Sequence, residues 1–363
     1  MQEAVIVGGG PVGLWVACQL KTRQPNCKIT VYERHAEYIR SHVLQIHGLS
    51  LMMYSKHRKI TDHNSPSQTF FKNVIGRTIY SLDLLLPTEK ITISTNELEV
   101  ALKKYAEDLG VSIVHQKIDS PQIVEDLHPD CEVFIAADGA HSTMRSALFS
   151  EDVVERQPLQ YVVEVKYEAE GQNKKLRFWK DYLPENLQLN HMIVESVGRA
   201  KNGSANITLR LFIDLETFNS MPTATFAKPL SMTDNLPKSI KEDIENYLVF
   251  RARKAQEKAI ETSIKISKLE LELYSCKRSG IVRDGCAWFL AGDAVMGLPY
   301  FRSLNAGMIM GSQLASIISK TNDLNSMVGL YRLVKPVDQV VEYMGAYGKN
   351  LAINLADSFR KLF

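Results

Sequence analysis

The chain has 363 residues, of which 45% are hydrophobic and 23% charged, a composition that favours a globular protein with a sizeable core and argues against wholesale disorder. Its 43 basic and 41 acidic residues leave a net charge of +2, which gives no support to a nucleic-acid partner. The five cysteines show no close pairing, so we expect no disulfide framework, no structural metal site and a reducing, cytoplasmic location. We also expect neither a signal peptide nor a membrane span.

The first predicted element is a short strand over residues 4–7, followed by a glycine turn and a helix over residues 11–22. In that turn Gly8 allows a sharp bend, Gly10 lets a pyrophosphate approach the backbone, and Gly13 lets the helix pack closely on the strand. This pattern of strand, glycine turn and helix predicts a dinucleotide site, but it does not separate NAD from FAD.

A second strand is predicted over residues 28–32, and an acidic residue ends it. Glu33 stands where a carboxylate could accept hydrogen bonds from both hydroxyls of an adenosine ribose, and Arg34 follows as a further candidate cofactor contact. Pro11 and Val12 open the intervening helix, whose free N–H groups and dipole favour bound phosphates. These residues complete the predicted site at the first two strands.

The next part of the chain ends on a second acidic motif. The predicted elements are a helix over 42–57, strands within 75–95, a helix over 96–109, and strands over 111–114 and 132–137. Asp138 and Gly139 follow the last of these strands, at the end where ligands bind in parallel sheets. A cap on the following helix is an equally good interpretation of the aspartate, because Asp is favoured at that position.

The pattern changes near residue 158, after which short alternating runs predict antiparallel strands. They lie over residues 160–169, 175–180, 190–198, 205–215 and 263–275, with a charged helix over 237–260. We therefore predict a nucleotide-binding domain in two pieces, 1–158 and 276–363, and a sheet-rich insert, 159–275, that forms a substrate domain.

A third motif follows a buried strand predicted over residues 286–291. Gly292 and Asp293 end that strand, and a predicted helix contains Asn305 and Ala306. Asp293 could accept a hydrogen bond from a ribityl hydroxyl, while small residues would let the helix N-terminus approach a ligand. A helix cap is again the alternative. The remaining predictions are a helix to about residue 320 and a helical segment, 326–360, broken at Pro336.

Together and in this order, the three motifs resemble those of the flavin monooxygenases typified by para-hydroxybenzoate hydroxylase. The residues that match the family's DGxxSxxR and GD segments are Asp138, Gly139, Ser142, Arg145, Gly292 and Asp293. The resemblance implies an α/β fold in which a Rossmann-type FAD-binding domain, built on a parallel sheet, carries an inserted substrate domain rich in antiparallel β-sheet. It also implies bound FAD, with the late aspartate on the ribityl chain and the middle segment serving both FAD and NADPH or NADH.

Two further stretches resemble the MICAL flavin monooxygenase domain, residues 38–44 and residues 91–113. By that likeness Arg40 lies beside the flavin or its phosphates. The resemblance implies a monooxygenase that transfers one oxygen atom from a flavin C4a-hydroperoxide to a substrate, and a protein methionine is one candidate substrate. No residue of the sequence is assigned as a catalytic general base.

The loop after Asp293 departs from the family pattern, because Arg302, Ser303 and Leu304 are bulkier than the glycine-rich loop of the hydroxylases. This departure leaves two alternatives open. One is a protein of the FAD-binding fold that acts by binding a partner without turnover. The other is a flavin reductase or oxidase built on the same fold.

Overall fold

The structure is a computed structural model that describes residues 1–38, 43–52, 65–75, 90–149, 153–182, 187–198, 200, 202–299 and 302–362. The described chain forms two compact units. The first unit contains Met1–Gln157 and Leu273–Ala346, and the second contains Pro158–Glu272 and Tyr347–Phe363. The sequence division at residues 158 and 276 placed the C-terminal segment in the nucleotide-binding domain, whereas Tyr347–Phe363 groups with the second unit.

The secondary structure follows in chain order. The strands are β1 (Glu3–Val7), β2 (Lys28–Glu33), β3 (Val43–His47), β4 (Lys90–Ser94), β5 (Ser112–His115), β6 (Val133–Ala136), β7 (Val154–Gly171), β8 (Met192–Val197), β9 (Ser204–Ile213), β10 (Glu257–Ala259), β11 (Lys265–Cys276), β12 (Gly280–Arg283), β13 (Cys286–Leu290) and β14 (Met296–Gly297). The helices are α1 (Pro11–Arg23), α2 (Gly48–Met52), α3 (Pro66–Ile75), α4 (Thr95–Asp108), α5 (Pro121–Leu127), α6 (Thr143–Leu148), α7 (Leu215–Ser220), α8 (Lys238–Lys254), α9 (Arg302–Lys320) and α10 (Leu324–Leu362).

The first unit is built on a six-stranded sheet in the order β12-β13-β6-β1-β2-β5, in which all neighbours except β12 and β13 run parallel. The register aligns the carboxyl ends of four strands. Val7 pairs with Tyr32 and Ala136, and Ala136 pairs with Leu290. The residues that follow these four strands therefore emerge along one edge of the sheet, which is where parallel sheets bind ligands.

Helix α1 fills the space between this sheet and α9. Its residues from Gly13 to Leu20 are all buried, so the helix is enclosed on every side. The indole Nε1 of Trp15 donates to the carbonyl of Met308 and to Ser312 Oγ, at 3.0 and 2.9 Å. Gly311 of α9 lies so close to α1 that a Cβ there would come within 2.8 Å of a Val16 methyl group. The two helices are thus held at close range.

The second unit is an antiparallel sheet covered by α8. Strand β9 lies between β7 and β8, and β10 pairs with β7. Alternate residues of β9, namely Ile207, Leu209, Leu211 and Ile213, are buried in one core with Ile240, Ile244 and Tyr247 of α8. A parallel sheet in one unit and an antiparallel sheet in the other confirm the predicted α/β fold class.

Four local predictions differ from the structure. The charged helix predicted over residues 237–260 ends at Lys254, and Glu257–Ala259 form strand β10. Residues 43–47 form strand β3, not a helix, because Ile46 pairs with Ile91 on the neighbouring strand β4. Residues 178–182 form a helical turn in which the carboxylate of Asp181 accepts the Arg177 N–H at 2.7 Å, so no strand forms there. Helix α10 continues through Pro336, which is an exposed position.

Within the described ranges, no helix combines the length and the apolar content that crossing a membrane would require.

Candidate functional site

Two glycines of the first turn are required by the backbone itself. Gly8 has φ +107°, and a Cβ there would come within 2.4 Å of the carbonyl oxygen of Ala137. A Cβ on Gly13 would come within 2.0 Å of the carbonyl oxygen of Gly8. Larger residues at either position would push α1 away from β1 and β6. The two glycines therefore fix the bend and the close approach of helix to strand, as the sequence indicated.

Gly10 is different, because its own backbone does not require a glycine. It caps α1 with φ −71° and ψ 179°, an extended conformation open to any residue, and its carbonyl accepts the Leu14 N–H at 3.0 Å. No heavy atom of the described residues lies within 4 Å of the position of a Cβ. Pro11 begins the helix, and the N–H groups of Val12 and Gly13 belong to the first turn, where a helix supplies no acceptors. This open N-terminus is suited to an anion.

The carboxylate of Glu33 is fixed against the same turn. Its Oε2 accepts the Gly9 N–H at 2.8 Å and its Oε1 accepts the His35 N–H at 2.8 Å, and the side chain is buried. The Tyr38 hydroxyl donates to the Gly9 carbonyl at 2.9 Å. Burial, aided by the charge of Glu33, raises the pKa of Tyr38 well above its usual range, so the phenol remains a donor. Each carboxylate oxygen retains acceptor capacity for a ligand hydroxyl. Arg34 is exposed beside it.

Asp138 lies at the carboxyl end of β6 and binds the N-terminus of α6. Its carboxylate accepts from Ser142 Oγ at 2.5 Å and from the Met144 N–H at 3.1 Å. Ser142 is the cap residue proper, since its hydroxyl accepts the Arg145 N–H at 2.9 Å. The contacts of Asp138 in the structure are therefore those of a residue that binds a helix N-terminus, which was the alternative to a ligand contact. Gly139 follows with φ +90° and open space around its Cβ position.

Arg145 joins the middle motif to the late one. Its guanidinium is buried and donates to the carbonyl oxygens of Ala294 and Ala140, at 3.0 and 2.8 Å. The same group lies over the ring of Tyr274, 5.9 Å from its centroid. The sequence identified Arg145 only as a match to a motif. Its part in holding two separate segments together depends on tertiary contacts that spacing along the chain does not indicate.

The late motif lies against the first turn of α1. Gly292 has φ +60°, and a Cβ there would lie 3.1 Å from the Val12 side chain. The Tyr274 hydroxyl donates to the Asp293 carbonyl at 2.7 Å, and burial raises the pKa of that phenol far above its usual range. The Asp293 carboxylate, which is half-buried, accepts a hydrogen bond from the Ser303 hydroxyl. One carboxylate oxygen is therefore engaged by a residue of the loop that departs from the family pattern.

The Asn305 side chain contacts the segment that contains β3 and α2. The Asn305 side-chain oxygen accepts from the His47 N–H and the Ser50 hydroxyl, both at 2.8 Å, and its amide donates to the Gln45 carbonyl at 2.8 Å. This side chain thus anchors β3 and α2. Ala306 is buried in α9.

Arg302, one of the bulky residues of the loop that departs from the family pattern, binds α10. Its guanidinium binds the Glu342 carboxylate of α10 through Nε and a terminal nitrogen, at 2.8 and 2.7 Å. The guanidinium also lies where a Cβ on Gly345 would be. The predicted cofactor residue Arg40 lies outside the described residues.

Three distant segments meet at the N-terminus of α1. Gly8 contacts the backbone at Asp138, Gly9 binds Glu33, and Val12 contacts Gly292. The Asn305 side chain binds β3, and Arg34 is exposed. In the part of the chain that the structure describes, no group of three or more His, Cys, Asp or Glu side chains is placed to hold a metal ion.

The sequence matches no protein-family model and shows no significant similarity to any curated protein. The fold is shared with solved structures. OxyS anhydrotetracycline hydroxylase from Streptomyces rimosus is 16% identical, with 99% of this chain and 71% of that chain covered and a TM-score of 0.57. The tetrameric form of 2-methyl-3-hydroxypyridine-5-carboxylic acid oxygenase is 13% identical, with coverages of 97% and 92% and a TM-score of 0.61.

A third structure of this fold is the Diels-Alderase PyrE3 from the biosynthetic pathway of pyrroindomycins, 14% identical, with coverages of 98% and 77% and a TM-score of 0.54. Two of these three proteins are named as a hydroxylase or an oxygenase and the third by a different reaction. At such identities the likeness establishes the fold and leaves the chemistry to the site. The chain thus has the mixed α/β fold, with a parallel and a separate antiparallel sheet, of these oxygenase structures.

Proposed function

We propose that this chain is an FAD-dependent monooxygenase that uses NADPH or NADH as its reductant. The observation that carries the proposal is the meeting of three separate segments at the N-terminus of α1, on the ligand-binding edge of a parallel sheet. The shared fold supports it, because OxyS and the pyridine-carboxylate oxygenase are named for oxygen insertion. The motif resemblance to the flavin monooxygenases supports the choice of FAD.

The adenosine diphosphate half of the cofactor has the better-defined candidate contacts. The space around Gly10 would admit the pyrophosphate, and the N–H groups of Val12 and Gly13 would donate to it. Glu33, already fixed by the Gly9 N–H, would accept hydrogen bonds from the ribose hydroxyls. The residues of this part of the site fit a dinucleotide.

The flavin half would be held by the late motif. Bound FAD would supply the oxygen chemistry, and the chain would supply binding and orientation. The Asp293 carboxylate would accept a hydrogen bond from a ribityl hydroxyl. One of its oxygens, Oδ1, now accepts a hydrogen bond from Ser303. Gly292 would keep that segment close to Val12 and so beside the pyrophosphate site. Arg34 and Arg40 are proposed as additional contacts, and Asp138 and Gly139 as the segment that serves both cofactors.

The substrate proposal has two arms. OxyS and the oxygenase are named for anhydrotetracycline and for a hydroxypyridine carboxylic acid, which favours a small hydroxylated ring compound for this chain too. The sequence resemblance to the MICAL domain favours a protein methionine instead. Mass spectrometry would separate the two, because only the molecule that is the substrate, the ring compound or the protein, gains the mass of one oxygen atom.

The first test is the visible spectrum of the purified protein, where oxidised flavin absorbs near ~450 nm, followed by consumption of NADPH in the presence of oxygen.

Asp293→Ala should lower flavin occupancy, while Ser303→Ala should raise it, because that variant removes the donor now bound to the carboxylate. Asp119→Ala, an exposed position of the same unit, is the matched control and should leave occupancy unchanged. Unchanged occupancy in Asp293→Ala would show that the ribityl contact is misassigned.

A second candidate function is cofactor or partner binding without turnover. It is favoured by the Ser303–Asp293 hydrogen bond and by PyrE3, which is named for a reaction other than oxygen insertion. Retained flavin without NAD(P)H consumption would support this candidate. Consumption with stoichiometric hydrogen peroxide and no oxygenated product would instead support a flavin reductase or oxidase.

A further inference from the structure

Helix α10 turns its hydrogen-bonding side chains toward the protein. The Tyr331 hydroxyl donates to the Leu290 carbonyl at 2.8 Å, and Lys335 Nζ donates to the Cys276 carbonyl at 2.6 Å. Arg332 donates to the carbonyl of Gly280 at 2.6 Å. Glu342, about two turns after Lys335, binds Arg302. These polar side chains share the packed face of the helix with buried apolar residues such as Val328 and Ala346.

The opposite face of the helix is apolar and exposed. Six side chains there are between 45% and 73% exposed. They are Leu330, Leu333, Val337, Val340, Val341 and Met344. We call these six residues the outer face of α10. The outward side of a soluble helix is normally polar, so a continuous exposed apolar stripe of this kind marks an interaction surface.

The spacing of the residues in the outer face indicates that another helix would pack against it. Leu330, Leu333, Val337, Val340 and Met344 follow one another at intervals of three, four, three and four residues. This alternation is the seam of a coiled coil, in which apolar residues recur every 3.5 residues on average and pack between those of another helix. The same intervals continue along the helix at Tyr347 and Leu351.

The charges of the helix favour a second copy over a lipid surface. Between residues 324 and 346 the basic residues are Arg332 and Lys335, and both donate to backbone carbonyls of the protein. This part of the helix thus lacks the cationic border with which interfacial helices bind lipid headgroups. Positions that flank the seam in a coiled coil are taken by uncharged residues such as Val334, Val341 and Tyr343. A seam without flanking charges brings no like-charge repulsion against an identical helix.

The outer face supplies a little over half of the area that a specific interface buries. If each half-exposed side chain of the outer face buries roughly 60 Å², the six of them bury about 700 Å² over two copies. A specific interface buries about 1,200 Å² or more, and residues that continue or flank the seam would supply the remainder. We infer that the outer face of α10 is the site where a second copy of this chain docks, helix against helix, to form a homodimer of modest affinity.

The experiment is light scattering coupled to size-exclusion chromatography on the whole protein between about 1 and 100 μM, the range in which interfaces of this size associate. The wild type should shift from one to two copies as concentration rises. Leu333→Glu with Val340→Glu should remain a single copy throughout. The matched control is Val249→Glu with Val100→Glu, two isolated apolar residues whose exposures, 72% and 59%, match the 73% and 59% of the test pair. The control should dimerise like the wild type.

Three results would overturn the inference. The first is a wild type that stays a single copy up to 100 μM, and the second is a test pair that still dimerises. The third is a monomeric wild type that sediments with vesicles containing anionic lipid, because a membrane would then be the occupant. Since both test positions are exposed, the unfolding midpoint of the test pair at low concentration should equal that of the control, which separates loss of docking from loss of folding.

Discussion

Replacing Gly10 with alanine separates what the glycine turn does for the fold from what it does for a ligand. Three glycines of this turn match the same motif, but only Gly8 and Gly13 are held by contacts with neighbouring backbone or side chains. Gly10 has an ordinary backbone conformation and open space where its Cβ would lie. The structure therefore predicts that a substitution at Gly10 weakens ligand binding but not stability, whereas a substitution at Gly13 lowers stability.

The stability of Gly10→Ala should stay close to that of the wild type. Alanine is a poorer helix cap than glycine by about 0.5 kcal/mol, whereas the loss of freedom in the unfolded chain stabilises by about 0.4–1 kcal/mol. These contributions nearly cancel. Gly13→Ala places a methyl group 2.0 Å from the Gly8 carbonyl oxygen, far inside van der Waals contact. We expect it to lower the free energy of unfolding by about 3 kcal/mol or more.

Cofactor binding, unlike stability, should be strongly weakened by Gly10→Ala. A methyl group at Gly10 would stand where the pyrophosphate approaches the backbone, and each lost hydrogen bond to a charged phosphate is worth about 1.5–3 kcal/mol. We therefore expect the Kd of Gly10→Ala for FAD and for ADP to rise about 10- to 150-fold. Calorimetric titration measures the Kd, and urea unfolding followed by circular dichroism measures stability. Gly329→Ala, in α10 with open space around it, is the control for binding.

Two results would refute this reasoning. If Gly10→Ala bound FAD and ADP with the affinity of the wild type, phosphates would not lie at this turn. If it lost more than about 1 kcal/mol of stability without ligand, the space around Gly10 would serve the fold itself. Because ADP lacks the flavin, a loss for FAD alone would place the defect in the other half of the site.

Two further predictions concern the second unit. Arg251 is buried between the carboxylates of Glu195 and Glu257, so Arg251→Met should lower the free energy of unfolding by about 3–5 kcal/mol in urea, and a loss below 1 kcal/mol would contradict that account. A hydrogen bond from the Thr217 N–H lowers the pKa of Asp214, which caps α7. Its stabilisation is therefore present above the unfolded pKa and lost as pH falls through the lower folded pKa, so the difference between the melting temperatures of wild type and Asp214→Ala should shrink as the pH falls below about 4. A constant difference would exclude the charge as its source.

The sequence by itself predicted the strands and helices of the parallel sheet and the glycine turn at Gly8–Gly13. These features depend on neighbours in the chain, since a bend needs its own glycine and a buried strand its own apolar run. The same local patterns failed at residues 43–47, where pairing with β4 decided the conformation, and at Pro336, where contacts on both sides keep α10 helical.

Only the tertiary structure decided how the polar side chains are used. Asn305 and Asp293 have the residue types of cofactor ligands, yet one is committed to β3 and the other binds Ser303. Arg145 and Glu33 contact partners 149 and 24 residues away. Side-chain hydrogen bonds of this kind depend on which segments the fold brings within about 3 Å, and a linear pattern carries no record of those distances.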